Sequence, residues 1–167
     1  MTLPASDTSA TLHLSAWLPY RMFLVAIQVA RPLERFYGET FGLSQASWRI
    51  LAVVAERDGA SASEIGRACA LDPFAVSRGI AQLVELGFAT RRTGKTDRRL
   101  ASVTITRRGR NAFDDIAALG RAIEADLLAV LSADERAVID GALHKLEAES
   151  ARIETSGWPS LIRRSNS

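Results

Sequence analysis

The sequence predicts a mainly α-helical fold with a small two- to three-stranded β-wing, and three observations point there. Apolar residues recur at three- and four-residue steps along most of the chain, as helices require. That period breaks once, between Phe88 and Ile105, where two short runs flank a charged loop containing Gly94. Helix-capping signals punctuate the rest, including two capping boxes, Ser61 to Glu64 and Ser132 to Glu135.

The elements follow in order. Trp17, Tyr20, Phe23, Ile27, Ala30, Phe36 and Tyr37 predict a helix from about 16 to 41, with Pro32 expected to kink or split it. Ser44 caps a second helix to about Arg57, with Leu43 and Trp48 at staple spacing. Ser61 and Glu64 open a short third helix ending at Cys69. Asp72 caps a fourth, with Pro73 in the first helical position, and Gly87 ends it. Phe88 to Arg92 and Leu100 to Ile105 read as strands. Thr106 then caps a long helix to about Leu131, Ser132 starts a last one to about Glu154, and 155–167 reads as a frayed tail.

Composition removes several function classes. With 167 residues, 47% of them apolar and 24% charged, the chain can bury one core and is not of the disordered class. The longest uncharged apolar run, Met22 to Ala30, lies between Arg21 and Arg31 and is too short to span a membrane. The N-terminus has no basic start followed by an apolar run, so a cytoplasmic protein is expected. Cys69 is the only cysteine, which excludes an internal disulfide. With only His13 and His144 beside it, no structural zinc site or cofactor is expected. No glycine-rich nucleotide loop and no nucleophile–histidine signature marks an enzyme.

Charge is where the chain speaks most clearly. Between Arg91 and Arg110, eight basic residues against Asp97 alone leave +7, and the overall +2 puts −5 on everything else. Such a concentration is the footprint of a polyanion partner, and double-stranded DNA is the first candidate. The third and fourth helices, joined by a tight turn, form a helix-turn-helix. On the fourth, Val76, Ile80, Leu83 and Val84 are expected to be buried, leaving Phe74, Ser77, Arg78, Ala81 and Gln82 opposite. Arg suits guanine, Gln suits adenine, and Ser suits either a base or a phosphate in the major groove. Phe74 either meets a thymine methyl or folds back on the domain. The hairpin loop, with Lys95, Arg98 and Arg99, fits the minor groove, and Asp97 is spaced to orient Arg99.

These residues carry a resemblance. Ser77-Arg78, the run from Leu83 to Gly87, and Asp97-Arg98-Arg99 through Val103-Thr104-Ile105-Thr106 with Gly109-Arg110 resemble the MarR family of bacterial winged helix-turn-helix regulators. The likeness spans about residues 16–154. It implies a homodimer on a pseudo-palindromic operator, usually a repressor released by a small ligand. It also implies that Ser77 and Arg78 touch DNA from the recognition helix, with Asp97 and Arg99 as the wing-tip pair. Pro73-Phe74 departs from the family's polar residues at that helix start. The expected organisation is a flexible start (1–15), a winged helix-turn-helix (44–106), a helical dimerisation region (16–43 and 107–154) and a flexible tail (155–167).

The dimer has its own signal. Phe113, Ile116, Gly120, Ile123, Leu127 and Val130 alternate three- and four-residue steps, a heptad-like seam. Val138, Ala142, Leu143 and Leu146 on the last helix add apolar surface beyond what one winged helix covers. For a ligand, Trp17, Tyr20, Arg21 and Trp48, with His13 nearby, offer aromatic walls beside a cation. They suit an aromatic or lipophilic anion such as an aromatic carboxylate. Two alternatives stand beside this reading: a winged-helix adaptor that binds only protein, and a thiol-based redox sensor using Cys69.

Overall fold

The computed structural model describes residues 12–92 and 102–165. The elements run α1 (Leu18–Phe41), α2 (Gln45–Glu56), β1 (Ala60–Ser61), α3 (Ala62–Cys69), α4 (Pro73–Glu85), β2 (Ala89–Arg92), β3 (Ser102–Ile105), α5 (Arg107–Leu128), α6 (Ala133–Ser156) and α7 (Trp158–Ser165). The fold class is the expected one: mostly helix around a small antiparallel sheet. The chain divides into two compact units at Ile123/Glu124, within α5.

In the first unit, α2, α3 and α4 pack around Ile50, Leu51, Val54, Ile65 and Leu83, all fully buried. The α4 glycine, Gly79, permits the close approach of α2, since a Cβ there would stand 2.4 Å from Ile50 Cδ1. Three strands close one side in the order β1-β3-β2, with Ala60 opposite Val103 and Ala89 opposite Ile105. The third strand, β1, is two residues long and has no periodicity of its own. It exists because β3 offers a partner edge, reinforced where Ile105 N–H donates to Asp58 Oδ1 at 3.1 Å.

The caps are those the sequence announces. Ser44 Oγ accepts from Ser47 N–H, Asp72 Oδ1 accepts from the Phe74 and Ala75 N–H groups, and both capping boxes close reciprocally. Between α3 and α4, Ala70 takes the left-handed conformation (φ 48°) that makes the turn tight.

Three expectations are corrected. Of the kink or split expected at Pro32, the split does not occur, since α1 runs unbroken for 24 residues. The missing hydrogen bond is tolerated because Leu33, Phe36, Tyr37 and Phe41 beyond it pack on the core. Val84 is 42% exposed rather than buried, because Val76, Ile80 and Leu83 already fill the stripe facing α2 and α3. The tail is not frayed through the described residues. After the Gly157 cap of α6, Trp158–Ser165 forms α7.

The second unit is mostly exposed, with none of its described residues buried. No α6 residue is buried, and Val138, Ile139, Leu143 and Leu146 face solvent. No described helix is long and apolar enough to cross a membrane.

Candidate nucleic-acid interface

α4 presents its outer face to solvent. The hydrophobic stripe fixes its rotation, since Val76, Ile80 and Leu83 are at most 3% exposed. That leaves Phe74, Ser77 and Arg78 outside. Phe74 does not fold back: it is 70% exposed, and the Arg78 guanidinium carbon sits 4.9 Å from its ring centroid.

Gln82 has a different job from the one its helical position suggests. Its Oε1 accepts from Ser44 Oγ at 2.9 Å and from the fully buried Ser47 hydroxyl. Its Nε2 donates to Gly42 O at 2.9 Å. The side chain therefore ties α4 to the end of α1 and the start of α2, and its amide is occupied inside the protein. Reading adenine from that position would require breaking these bonds.

The wing is anchored at its base. Thr106 Oγ1 donates to Gly87 O at 2.7 Å and accepts from Gly109 N–H at 3.0 Å, while Thr106 N–H donates to Phe88 O at 3.0 Å. One residue thus joins the end of α4, the start of β2 and the first turn of α5. Gly109 is required by this closeness, because a Cβ there would stand 2.0 Å from Phe88 O. Lys95, Asp97, Arg98 and Arg99 lie outside the described residues.

The basic run is less uniform than its count implies. Arg91 and Arg92 are exposed at the end of β2. Arg110 instead turns inward, donating to Ala55 O at 2.7 Å and lying 5.7 Å from the Phe113 ring centroid. Arg108 is exposed, with its guanidinium carbon 5.2 Å from the Phe88 ring centroid.

The expected ligand residues do not meet within one chain. Trp48 is half-buried, stacked between Tyr37 and Phe113 with ring centroids 5.9 Å away on each side. Burial is the main reason the Tyr37 hydroxyl is pushed above its ordinary pKa, with Glu34 adding to it. Tyr20 lies 17 residues earlier on α1, hence about 26 Å along the helix axis from Tyr37. Trp17 and Arg21 are exposed at that far end beside the half-buried Tyr20, which is 6.3 Å from Phe23, and His13 is exposed in the turn before α1. Trp48 therefore belongs to the core, as an aromatic at helical spacing often does.

Cys69 is 2% exposed, and burial raises its pKa against the smaller opposing effect of Arg49. Arg49 donates instead to the Cys69 carbonyl. A sensing thiol needs access and thiolate character, and this one has neither.

Two helices joined by a tight turn, an exposed recognition face and an antiparallel hairpin behind it define a winged helix-turn-helix protein. Residues 41–100 match the model of the MarR family. An uncharacterized HTH-type transcriptional regulator, YdgJ of Bacillus subtilis (strain 168), is 27% identical over 113 residues, covering 68% of this chain and 69% of that protein. The crystal structure of a MarR-family regulator from Silicibacter pomeroyi superposes with a TM-score of 0.71 at 25% identity, covering 82% of this chain and 92% of the other. A structure of Bordetella bronchiseptica BpsR, described as regulated in its DNA binding by 6-hydroxynicotinic acid, gives 0.70 at 20% identity, covering 81% and 96%. The match over the winged helix-turn-helix and the likeness to these regulators support a transcriptional regulator of the MarR type.

Proposed function

We propose that this regulator binds a pseudo-palindromic operator as a homodimer, and that it represses until a small aromatic or lipophilic anion releases it. The observation that carries the reading is the outer face of α4. Ser77 and Arg78 stand free in solvent beside Phe74, on a helix whose opposite face is fixed in the core. Each recognition helix enters a major groove, the two about 34 Å apart along the duplex. The wing residues Lys95, Asp97, Arg98 and Arg99 reach the adjacent minor groove, with Asp97 orienting Arg99.

Exposed apolar surface supports the homodimer. Leu18, Met22, Phe23, Leu24 and Val25 line the start of α1, and the α6 leucines and valine add a second uncovered surface. The seam on α5 divides. Ile116 is buried and Phe113 half-buried against their own core, whereas Leu127 and Val130 are exposed, the latter at 85%. The dimerisation region is accordingly assigned to α1 and to the helices from α5 onward.

For the effector, Trp17, Tyr20 and Arg21 with His13 remain the proposed set, now without Trp48. An arginine beside aromatic rings favours an aromatic carboxylate, and the acid named for BpsR is of that class. The test is a fluorescence-anisotropy titration of labelled DNA from upstream of the gene at two salt concentrations, with scrambled DNA as control. Specific, salt-sensitive binding that 6-hydroxynicotinate or salicylate weakens is expected. Replacing Arg98 and Arg99 with Ala should flatten the salt dependence by about one counterion each. Salt-independent binding, or none, would instead favour the protein-adaptor reading.

A further inference from the structure

The base-reading face of α4 begins with an aromatic ring in water. Phe74 is held there by the helix start, where its N–H donates to Asp72 Oδ1 at 2.8 Å. One turn later Arg78 lays its guanidinium over the ring, 4.9 Å from the centroid. Among the described residues no carboxylate pairs with Arg78, so the ring is its one recorded partner. A ring covers only one face of a guanidinium, leaving the in-plane N–H groups free for a bidentate acceptor. In the major groove that acceptor is the O6/N7 edge of guanine. The one apolar group on the same groove floor is the thymine C5-methyl.

We propose that Phe74 and Arg78 form a single specificity-determining unit that reads a guanine together with a neighbouring thymine. Phe74 covers the methyl group and holds the Arg78 fork in the plane of the guanine edge. A phosphate contact would engage Arg78 alone, since a phenyl ring gives a phosphate oxygen nothing to bind, so a role for the ring points to the groove floor. This inference rests on the reading of α4 as the helix that enters the groove.

The test begins with selection of preferred duplexes from a randomised pool by the full chain. Each thymine in the selected site is then replaced singly by uracil, which deletes only the methyl group. The wild-type protein should lose about fourfold in affinity at one thymine per half-site, next to a guanine, the worth of one buried methyl. Phe74→Ala should be insensitive to that replacement. Phe74→Leu, apolar but without a π face, should keep the sensitivity while discriminating guanine about two- to fivefold less well. Arg78→Ala should lose the guanine preference altogether. Phe74 is exposed, so all three variants should show wild-type thermal unfolding. The proposal is overturned if Phe74→Ala responds to uracil as the wild type does, or if Arg78→Ala keeps its guanine preference. A selection that yields no preferred sequence overturns the groove-reading role of α4 itself, and the pair with it.

Discussion

Removing the Gln82 side chain separates its two possible roles. In Gln82→Ala, the bonds to Ser44 Oγ (2.9 Å), to Gly42 O (2.9 Å) and to the Ser47 hydroxyl all vanish. At a net worth of about 1 kcal/mol each, the loss is about 3 kcal/mol. Ser44 Oγ and Ser47 Oγ remain 2.8 Å apart and can satisfy each other, which brings the expected cost to about 2 kcal/mol. For a chain of this length that is a fall in melting temperature of about 4–8 °C. Urea unfolding followed by circular dichroism measures it directly, with the midpoint moving and the slope unchanged. Because the amide is engaged by Gly42, Ser44 and Ser47, the relative preference among DNA sequences should not change. Wild-type stability combined with an altered base preference at one operator position would refute the reasoning and restore Gln82 as a reader of bases.

Three other perturbations test the same framework. Gly109→Ala places a Cβ 2.0 Å from the backbone oxygen of Phe88, so overpacking of about 1–3 kcal/mol should outweigh the helix propensity gained, and thermal unfolding should occur at a lower temperature. Gly120 has nothing within 4 Å of a built Cβ, so Gly120→Ala should gain about 1 kcal/mol in an isolated chain. If the dimer seam passes through it, analytical ultracentrifugation will instead record weaker self-association. Glu64 and Glu135 are held below their ordinary pKa of 4.5 by hydrogen bonds from Ser61 and Ser132. Their contribution is therefore present above that value and lost as pH falls through the lower folded values. The double variant Glu64→Gln, Glu135→Gln should show a shallower loss of melting temperature between pH 5 and pH 3 (roughly the carboxylate range). An unchanged acid slope would deny these caps their role.

What the sequence disclosed was mostly local. A cap needs a hydroxyl and an amide three residues apart, so Ser44, Ser61, Asp72 and Ser132 could be recognised in place. The stripe of Val76, Ile80 and Leu83 likewise follows from the helical period alone. The misreadings involve partners distant in the chain. Gln82 meets Gly42, 40 residues earlier, and Arg110 meets Ala55, 55 residues earlier, so neither engagement leaves a local signature. Trp48 left the proposed ligand set for a related reason. Trp17 to Arg21 and Trp48 share a composition but are separated by most of the length of α1. The expectation that Pro32 could split the helix weighed one backbone bond without the apolar residues that follow it. For α7 a signal was present, since Gly157 followed by Pro159 marks one helix ending and another starting.

The Thr106 junction joins the reading helix and the base of the wing into one body. It pins the wing, the first turn of α5 and the C-terminal end of α4 together, while Phe74 and Arg78 lie toward the other end. α4 has 13 residues and is about 20 Å long, and because its inner face is fixed in the core it would tilt only together with the winged helix, as one body with a pivot taken at its Gly87 end. A rotation of about 5° at the pivot moves the far end by about 1.7 Å, and a hydrogen bond to a base edge tolerates only a few tenths of an ångström. An effector would not have to drive the domains apart. A tilt too small to disturb the core would be enough to lift the reading end off its bases.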